Sequence, residues 1–186
     1  MKLTRIDKVH DGTYLKKYEL TYLNKAGKEK KYEIVSRKEI NGPEDLGRKV
    51  SGISIIAYKD NQMLLLREFR MAINKEIYNL CAGMLEAGET VEECVARELY
   101  EETGLRVKRV IDVLPPAFSA VGFSDVQTHI VLVEAEGEIS DHTSENEKIK
   151  AAFYTKEQVK EMLKTEEFSA RSQIAAYFFT KTIDSF

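Results

Sequence analysis

The pattern of apolar and polar positions predicts a β-rich N-terminal region. Residues 14–24 and 30–40 are rich in Tyr, Ile, Leu and Thr, and the segment between them is polar and contains a glycine. This arrangement is typical of two strands joined by a turn, so it predicts a β-hairpin. Residues 41–47 then contain two glycines and a proline, which favours a linker.

Beyond the linker, strands and helices are mixed. Residues 50–70 predict two strands joined by Asp60 and Asn61, with apolar runs continuous enough for burial on both faces. A glycine-containing loop and a helix from Val91 to about Thr103 follow. Further strands are predicted at 107–118 and 126–139, and further helices at 154–168 and 170–183, the last with aromatic residues interpreted as core packing. The pattern predicts an α/β fold, divided into a small antiparallel β-module at 1–46 and a larger domain at 47–186.

Composition narrows the class of protein. The chain has 186 residues, 43% of them hydrophobic, and a net charge of −3, so it lacks the basic surplus expected of a nucleic-acid binder or of a protein bound to an anionic membrane. No apolar run approaches the roughly 18 residues of a membrane span, and the N-terminus does not resemble a secretory signal. Cys81 and Cys94 fit neither a disulfide framework nor a metal-binding spacing. We therefore expect reduced thiols in a cytoplasmic protein.

Local charge is concentrated in one predicted helix. The segment from Glu86 to Glu102 contains seven acidic residues and one basic residue, Arg97, which gives a local charge of −6. Thr90 and Glu93 form a capping box at the start of this helix, and Gly104 is typical of its C-terminal end. Such a charge indicates either a solvated acidic face or a cation site.

The helical spacing brings two of these acids together. Glu98 and Glu102 are four residues apart, so they are neighbours on the helix surface, at the edge of its apolar arc. Partly buried carboxylates repel each other and lose hydration, and a hard divalent cation such as Mg²⁺ compensates for both effects. Gly83 and Gly88 precede the helix and allow a tight loop that approaches a phosphate or a metal closely. A merely acidic surface helix remains the alternative.

The same segment resembles the Nudix box. That motif has a glycine, five residues, a glutamate, seven residues, and then Arg-Glu-aliphatic-x-Glu-Glu-x-Gly-aliphatic. Gly83, Glu89 and residues 97–105 match every fixed position. The resemblance implies a Nudix-type α/β/α sandwich with a mixed sheet, and hydrolysis of a nucleoside diphosphate linked to another moiety. It also implies Mg²⁺ as the cofactor, with Mn²⁺ as a substitute.

The resemblance further implies roles for residues in and beside the motif. Glu98 and Glu102 are the implied main metal ligands, and Glu101 is a further ligand or a base. The resemblance also implies that the Ala82 carbonyl is a metal ligand. It implies that Arg97 and Glu89 orient the carboxylates. Gly83 and Met84 are implied to contact the substrate. Orientation by Arg97 is chemically reasonable, because a guanidinium binds carboxylates in a bidentate manner.

Features outside the motif resemble the ADP-ribose pyrophosphatase branch of this family. Arg70 ends the strand before the motif and is expected to contact the nucleotide. The downstream Glu145 is the leading candidate for general base, and Glu147 is an additional metal ligand. In that branch the N-terminal module is usually exchanged across a homodimer. ADP-ribose, cleaved to AMP and ribose 5-phosphate, is the expected substrate.

Two alternatives remain open. Cys81 stands where this branch usually has a proline, and a cysteine there also occurs in relatives that hydrolyse GDP-mannose. GDP-mannose or another nucleotide sugar is therefore the competing substrate. The alternative from another class is a non-catalytic module that senses ADP-ribose or a nucleotide, although such a module has no need of the acidic residues.

Overall fold

A computed structural model describes residues 1–181 of the chain. The end of the helix predicted at 170–183 thus lies outside the described residues. The strands are β1 (Lys2–Asp11), β2 (Lys16–Leu23), β3 (Glu29–Ser36), β4 (Val50–Lys59), β5 (Gln62–Arg70), β6 (Lys75–Asn79), β7 (Cys81–Met84), β8 (Arg106–Val113), β9 (Ala117–Phe118), β10 (Gln127–Glu136) and β11 (Ile149–Tyr154). The α-helices are α1 (Val91–Thr103), α2 (Lys156–Thr165) and α3 (Ala170–Phe179), and 3-10 turns occupy Pro43–Asp45 and Met71–Ile73.

The chain forms two compact units. The first contains residues 1–51 and 116–129, and the second contains residues 52–115 and the chain from residue 130 onward. The division into domains at residue 46 stays a prediction.

The first unit is built on a three-stranded antiparallel sheet in the order β1-β2-β3. The predicted hairpin is confirmed as β2 and β3, which pair from Lys16 with Ser36 to Leu23 with Glu29. Strand β1 was not predicted, because its side chains are mostly exposed and carry no regular apolar alternation. A small core of Tyr18, Leu20, Ile34 and Ile40 stabilises this unit.

The second unit is a sheet covered by helices on both faces. Its strands follow the order β11-β5-β4-β10-β8, with β6 paired to β5 and β7 paired to β4. Along β5, Leu64 and Leu66 pack in a cluster with α1, whereas Met63 and Leu65 pack in a second cluster with α2 and α3. This alternation confirms the α/β/α sandwich, since side chains of a strand point to opposite faces in turn.

Helix α1 has the predicted bounds. The Thr90 side chain accepts a hydrogen bond from the Glu93 N–H, and the Glu93 carboxylate accepts one from the Thr90 N–H. Gly104 ends the helix in the left-handed conformation, at φ 75°, and its N–H donates to the Tyr100 carbonyl. Val95 and Leu99 are fully buried and fix the rotation of α1 against the sheet.

Three predictions of local structure need correction. The segment before α1, predicted as a loop, contains β6 and β7, whose five and four residues are too few for a clear periodic signal. Strand β11 was also missed. On α3, Phe179 is buried but Tyr177 and Phe178 are 50% and 62% exposed, so these two aromatic residues are not core packing.

The thiol prediction agrees with the structure. Cys81 and Cys94 are both free and buried. Burial raises the pKa of both, that of Cys94 to about 12, so neither is a ready nucleophile. Across residues 1–181, no helix combines the length and the apolar character needed to cross a membrane.

Candidate active site

The site forms where strand β7 meets helix α1. A Cβ atom added to Gly83 would coincide with the carboxyl group of Glu98, so a larger residue here would displace that carboxyl group from its present position. The Ala82 N–H donates to Glu102 Oε2 at 3.1 Å. The structure thus places Ala82 and Gly83 directly against two of the predicted metal ligands. A ligand role for the Ala82 carbonyl stays a prediction.

Arg97 links the acids of the motif. Its Nε and Nη2 atoms donate to the two oxygens of Glu89 at 2.8 and 2.9 Å. Its Nη1 atom donates to Glu98 at 2.7 Å and to Glu101 at 3.2 Å, and Nη2 also donates to the Met84 carbonyl at 3.0 Å. One guanidinium therefore contacts three carboxylates and the end of strand β7, and the orienting role of Arg97 stays a prediction.

The electrostatic environment differs among these carboxylates. The hydrogen bonds from Arg97 lower the pKa of Glu89 to about 2. Burial raises the pKa of Glu98 despite its bond to Arg97, and burial raises that of Glu102 to about 8. Glu101, in contrast, has a side chain that is 55% exposed. Glu98 and Glu102 are therefore the two acids whose negative charge is poorly compensated by the protein.

A further acid, Glu68, was missed by the sequence analysis. Its side chain is only 14% exposed and pairs with the Arg70 guanidinium, and its Oε2 atom accepts from Asn79 Nδ2 at 2.9 Å. The Ser169 hydroxyl in turn donates to Asn79 Oδ1 at 2.8 Å. The charge of Glu68 also contributes to the raised pKa of Glu102. The alternation along β5 carried the signal, since Glu68 follows Leu66 on the face towards α1.

The downstream acids lie in an exposed loop, residues 137–148, which we name the acidic loop. Glu147 accepts hydrogen bonds from the Ser144 N–H and hydroxyl at 3.2 and 3.0 Å, and its charge contributes to the raised pKa of Glu98. Glu145 is exposed, and no hydrogen bond within residues 1–181 joins its side chain to the acids of α1. Within residues 1–181, Glu147 is therefore linked to the helix through its charge alone, and Glu145 is exposed to solvent.

A groove connects this loop with the end of strand β5. It has a volume of about 260 Å³ and is lined by Glu68, Arg70, Glu147 and Lys148 among others. The predicted substrate contact Arg70 and the predicted ligand Glu147 therefore share one groove. The exposed side chain of Met84 belongs to the β7 end of the site.

The donor set fits a hard divalent cation, although it is not closed into a coordination sphere. In the described part of the chain, no three His, Cys, Asp or Glu side chains stand in a metal-holding arrangement. Arg97 and the Ala82 N–H instead occupy oxygens of Glu98 and Glu102. Both carboxylates are largely withdrawn from water, and Mg²⁺ prefers such oxygen ligands. Their poorly compensated charge agrees with a cation that binds beside them.

The fold and the site together define an α/β/α sandwich protein with a carboxylate-bearing helix against a glycine-containing strand. A family model for the NUDIX domain matches residues 48–177, so the chain belongs to the Nudix family. The resemblance found in the sequence is thereby confirmed.

Relatives with assigned names also match. An ADP-ribose pyrophosphatase of Saccharomyces cerevisiae is 27% identical over 136 residues, covering 70% of this chain and 57% of its own length. An ADP-sugar pyrophosphatase of Mus musculus is 27% identical over 144 residues, covering 73% and 62%. A NAD-capped RNA hydrolase NudC of Vibrio parahaemolyticus is 48% identical, but over only 58 residues, 31% of this chain and 22% of that protein.

These matches leave part of the curated relatives uncovered, since this chain spans from about a fifth to about three fifths of their lengths. A solved crystal structure of an ADP compounds hydrolase superposes with a TM-score of 0.76 at 18% identity, covering 97% of this chain and 93% of that one. At this identity, the likeness shows the fold.

Proposed function

We propose that the protein hydrolyses the diphosphate bond of a nucleoside diphosphate sugar with the help of Mg²⁺. ADP-ribose, cleaved to AMP and ribose 5-phosphate, is the leading substrate. The names of the yeast and mouse relatives support this choice. We place the activity in the cytoplasm, where the two buried cysteines would stay reduced.

The observation that carries the proposal is the pair of buried carboxylates beside Gly83. Glu98 and Glu102 lie where the protein leaves their charge poorly compensated, and Arg97 holds Glu98 in place. A stable surface helix has no need of such an arrangement, because desolvated carboxylates destabilise the fold unless a cation offsets their charge. A magnesium–diphosphate complex supplies that cation together with the substrate.

The proposed ligands are the carboxylates of Glu98, Glu101, Glu102 and Glu147 and the carbonyl of Ala82. Magnesium held there would neutralise the phosphoryl oxygens and acidify the attacking water. Arg97 and Glu89 keep the carboxylates oriented, and Arg70 binds the nucleotide in the groove. Gly83 and Met84 border the substrate at the end of β7. The chain thus binds and orients the diphosphate before any bond is broken.

Proton transfer is assigned to the acidic loop. Water forms a bond to one phosphorus atom, the bridging P–O bond breaks, and Glu145 accepts the proton that the water loses. AMP and ribose 5-phosphate leave. Glu145 suits this role because its side chain is exposed and free to reach substrate in the groove. Glu101, also exposed, is the alternative base.

A substrate panel tests the proposal. Purified protein is incubated with ADP-ribose, GDP-mannose, ADP-glucose, NADH and dinucleoside polyphosphates, each with Mg²⁺ and with a chelator, and products are separated by ion exchange. We expect AMP and ribose 5-phosphate from ADP-ribose only when Mg²⁺ is present. Faster cleavage of GDP-mannose would support the alternative suggested by Cys81.

The non-catalytic alternative has its own outcome in the same experiment. Tight binding of ADP-ribose by calorimetry, without product at any metal concentration, would show a sensing module. Absence of both binding and cleavage across the panel would refute the proposal.

We also propose a homodimer formed through the N-terminal module. The first unit exposes a set of large apolar side chains that a partner would cover: Val9, Tyr14, Leu15, Phe118, Val121 and Phe123. Exposed apolar surface of this extent is typical of an interaction site. Sedimentation at micromolar concentration should give twice the chain mass, and a Tyr14→Ser/Leu15→Ser variant should shift the population towards monomer. A wild-type monomer at all concentrations would exclude the dimer.

A further inference from the structure

The acidic loop is attached to helix α1 at its first residues. The Ser140 N–H donates to the carbonyl of Thr103 at 2.9 Å, at the C-terminal end of α1. A Cβ atom on Gly104 would collide with the Ser140 hydroxyl, so this glycine permits the close approach. The loop therefore starts from a defined position on the helix.

Two aromatic side chains extend this attachment. The ring of His142 stacks on the ring of Tyr100, with centroids 4.6 Å apart and an interplanar angle of 29°. The Ser140 hydroxyl and His142 Nε2 share a hydrogen bond of 3.0 Å. Tyr100 lies on α1 between Glu98 and Glu102 in sequence, and His142 precedes Glu145 by three residues. The stack thus joins the helix that carries one set of acids to the loop that carries the other.

The loop is also fixed at its far end. The Phe69 N–H of strand β5 donates to the Lys148 carbonyl at 3.0 Å. Between His142 and Lys148, the hydrogen bonds that the loop makes within residues 1–181 are those of its own polar residues, such as Ser144 with Glu147. The path of residues 143–147 therefore depends on where His142 and Lys148 are held.

We propose that Tyr100 and His142 are positioning residues that set the placement of Glu145 and Glu147 over the site. Removing the stack would leave the Ser140 attachment and release the residues that follow it. This inference rests on the proposed function for its effect on turnover, whereas its effect on the loop itself does not depend on activity.

A merely structural role is disfavoured by the surroundings of the stack. Tyr100 is 42% exposed, and His142 is exposed as well. A cavity of about 370 Å³, lined by Arg106, Glu136 and Ser140 among others, borders both rings. Because the rings lie outside the apolar clusters of this unit, truncation should leave the core intact.

The test compares Tyr100→Ala, His142→Ala and the double variant with Tyr100→Phe. An aromatic pair stabilises its arrangement enough to change a population roughly two- to tenfold. We expect each alanine variant to lower kcat and to weaken the apparent affinity for Mg²⁺ by that factor, with little change in KM. The double variant should equal His142→Ala, because each single variant already loses the stack and His142→Ala also loses the hydrogen bond to Ser140. Tyr100→Phe should restore wild-type values, since the ring is kept.

A second measurement reports the loop without reference to catalysis. A glutamate-specific protease should cut after Glu145 or Glu147 roughly two- to tenfold faster in the alanine variants than in wild type. Tyr177→Ala is the matched control, because Tyr177 is an equally exposed tyrosine that contacts Phe178 on α3. The Tyr177→Ala substitution should change neither the rate at which the protease cuts the acidic loop nor kcat.

The outcomes separate the two proposals. If the protease cuts Tyr100→Ala no faster than wild type, the positioning role is overturned, whether or not kcat falls. Additive effects in the double variant also overturn it, because the two residues would then act separately. If the protease cuts the alanine variants faster while the wild-type protein hydrolyses no substrate, the positioning role is supported. Only the proposed function is then refuted.

Discussion

The acids of helix α1 and the acids of the acidic loop differ in how the protein holds them. Glu98 and Glu102 are largely withdrawn from water; Glu98 is bonded to Arg97, its neighbour on α1, and Glu102 is bonded to the Ala82 N–H of strand β7. Glu145 and Glu147 are exposed, and the hydrogen bonds of Glu147 come from Ser144 within the same loop. The first pair cannot move without unpacking α1, whereas the second pair moves with a loop attached at its two ends.

Under the proposed function, this difference corresponds to a division of labour. Fixed carboxylates suit the binding of a cation whose position must not vary, because misplacement by an ångström is costly to catalysis. The exposed Glu145 on the tethered loop suits proton transfer, which needs access to water and to the substrate, whereas Glu147 is the proposed metal ligand that the loop supplies. The predictions below test this division, from the largest expected effect to the smallest.

The strongest test is Glu102→Gln. Loss of a buried ligand removes several kcal/mol of electrostatic stabilisation, so we expect kcat/KM to fall roughly 10³-fold or more. Titration with Mg²⁺ should show weaker activation. Glu92→Gln, on the exposed side of the same helix, is the control and should retain activity. Comparable activity in Glu102→Gln and Glu92→Gln would show that the buried acid is no more important for activity than the exposed one.

Glu145→Gln tests the loop. Without a base, kcat should fall by about 10²-fold or more, with KM and the Mg²⁺ requirement little changed. Rapid-quench measurement of a single turnover would locate the loss in the chemical step. Glu138→Gln, elsewhere in the acidic loop with a side chain 95% exposed, is the matched control. Near-normal turnover in Glu145→Gln would exclude this residue as the base and favour Glu101.

Arg97→Lys tests how much the fixed acids depend on their common partner. A lysine cannot reproduce the bidentate contact with Glu89 while also reaching Glu98, so activity should fall about 10- to 100-fold. Arg109→Lys loses only an exposed contact with Glu134 and should change little. Equal effects of the two substitutions would show that orientation by Arg97 is unimportant.

The smallest effect concerns the pH dependence of stability without metal. Burial raises the pKa of Glu102 from 4.5 to about 8 in the folded protein. The folded state then holds a proton that the unfolded chain has lost between these values, so this group makes stability fall as the pH rises from about 5 to about 8. Above pH 8 the contribution is constant.

Thermal unfolding in a chelator measures this effect. The Tm of wild type minus that of Glu102→Gln should be lower at pH 8.5 than at pH 5, and each kcal/mol of this difference corresponds to roughly 2–4 °C. Added Mg²⁺ should reduce the difference, because a bound cation stabilises the charged carboxylate. A Tm difference independent of pH would contradict the burial of Glu102.

The sequence predicted best those elements whose signals are local. The Thr90 capping box and Gly104 gave the bounds of α1, and the alternating burial of β5 followed from a continuous apolar run. Strand β1 escaped prediction because an exposed strand of charged residues has no apolar periodicity. Short strands such as β7 depend on pairing with distant residues, which no local pattern reveals.

In the candidate site, too, the features with a local sequence signal were predicted best. The spacing of Glu98 and Glu102 on a helix predicts their proximity, and the structure adds the contact with Ala82. Glu68 was missed because its partners, Asn79 and Ser169, come together only in the folded chain. The exposure of Tyr177 was also misjudged, since an apolar helix with little amphipathic pattern does not indicate which side faces the core.

Gly83 has a consequence for redesign. A methyl group on Gly52 would strike the backbone carbonyl of Gly83, so β4 and β7 have no room for a side chain there. A methyl group on Gly83 would strike the Glu98 carboxyl group and move it out of place. Under the proposed function, attempts to change the accepted nucleotide sugar should therefore keep both glycines and vary the exposed side chains of the groove around Arg70 or of the acidic loop.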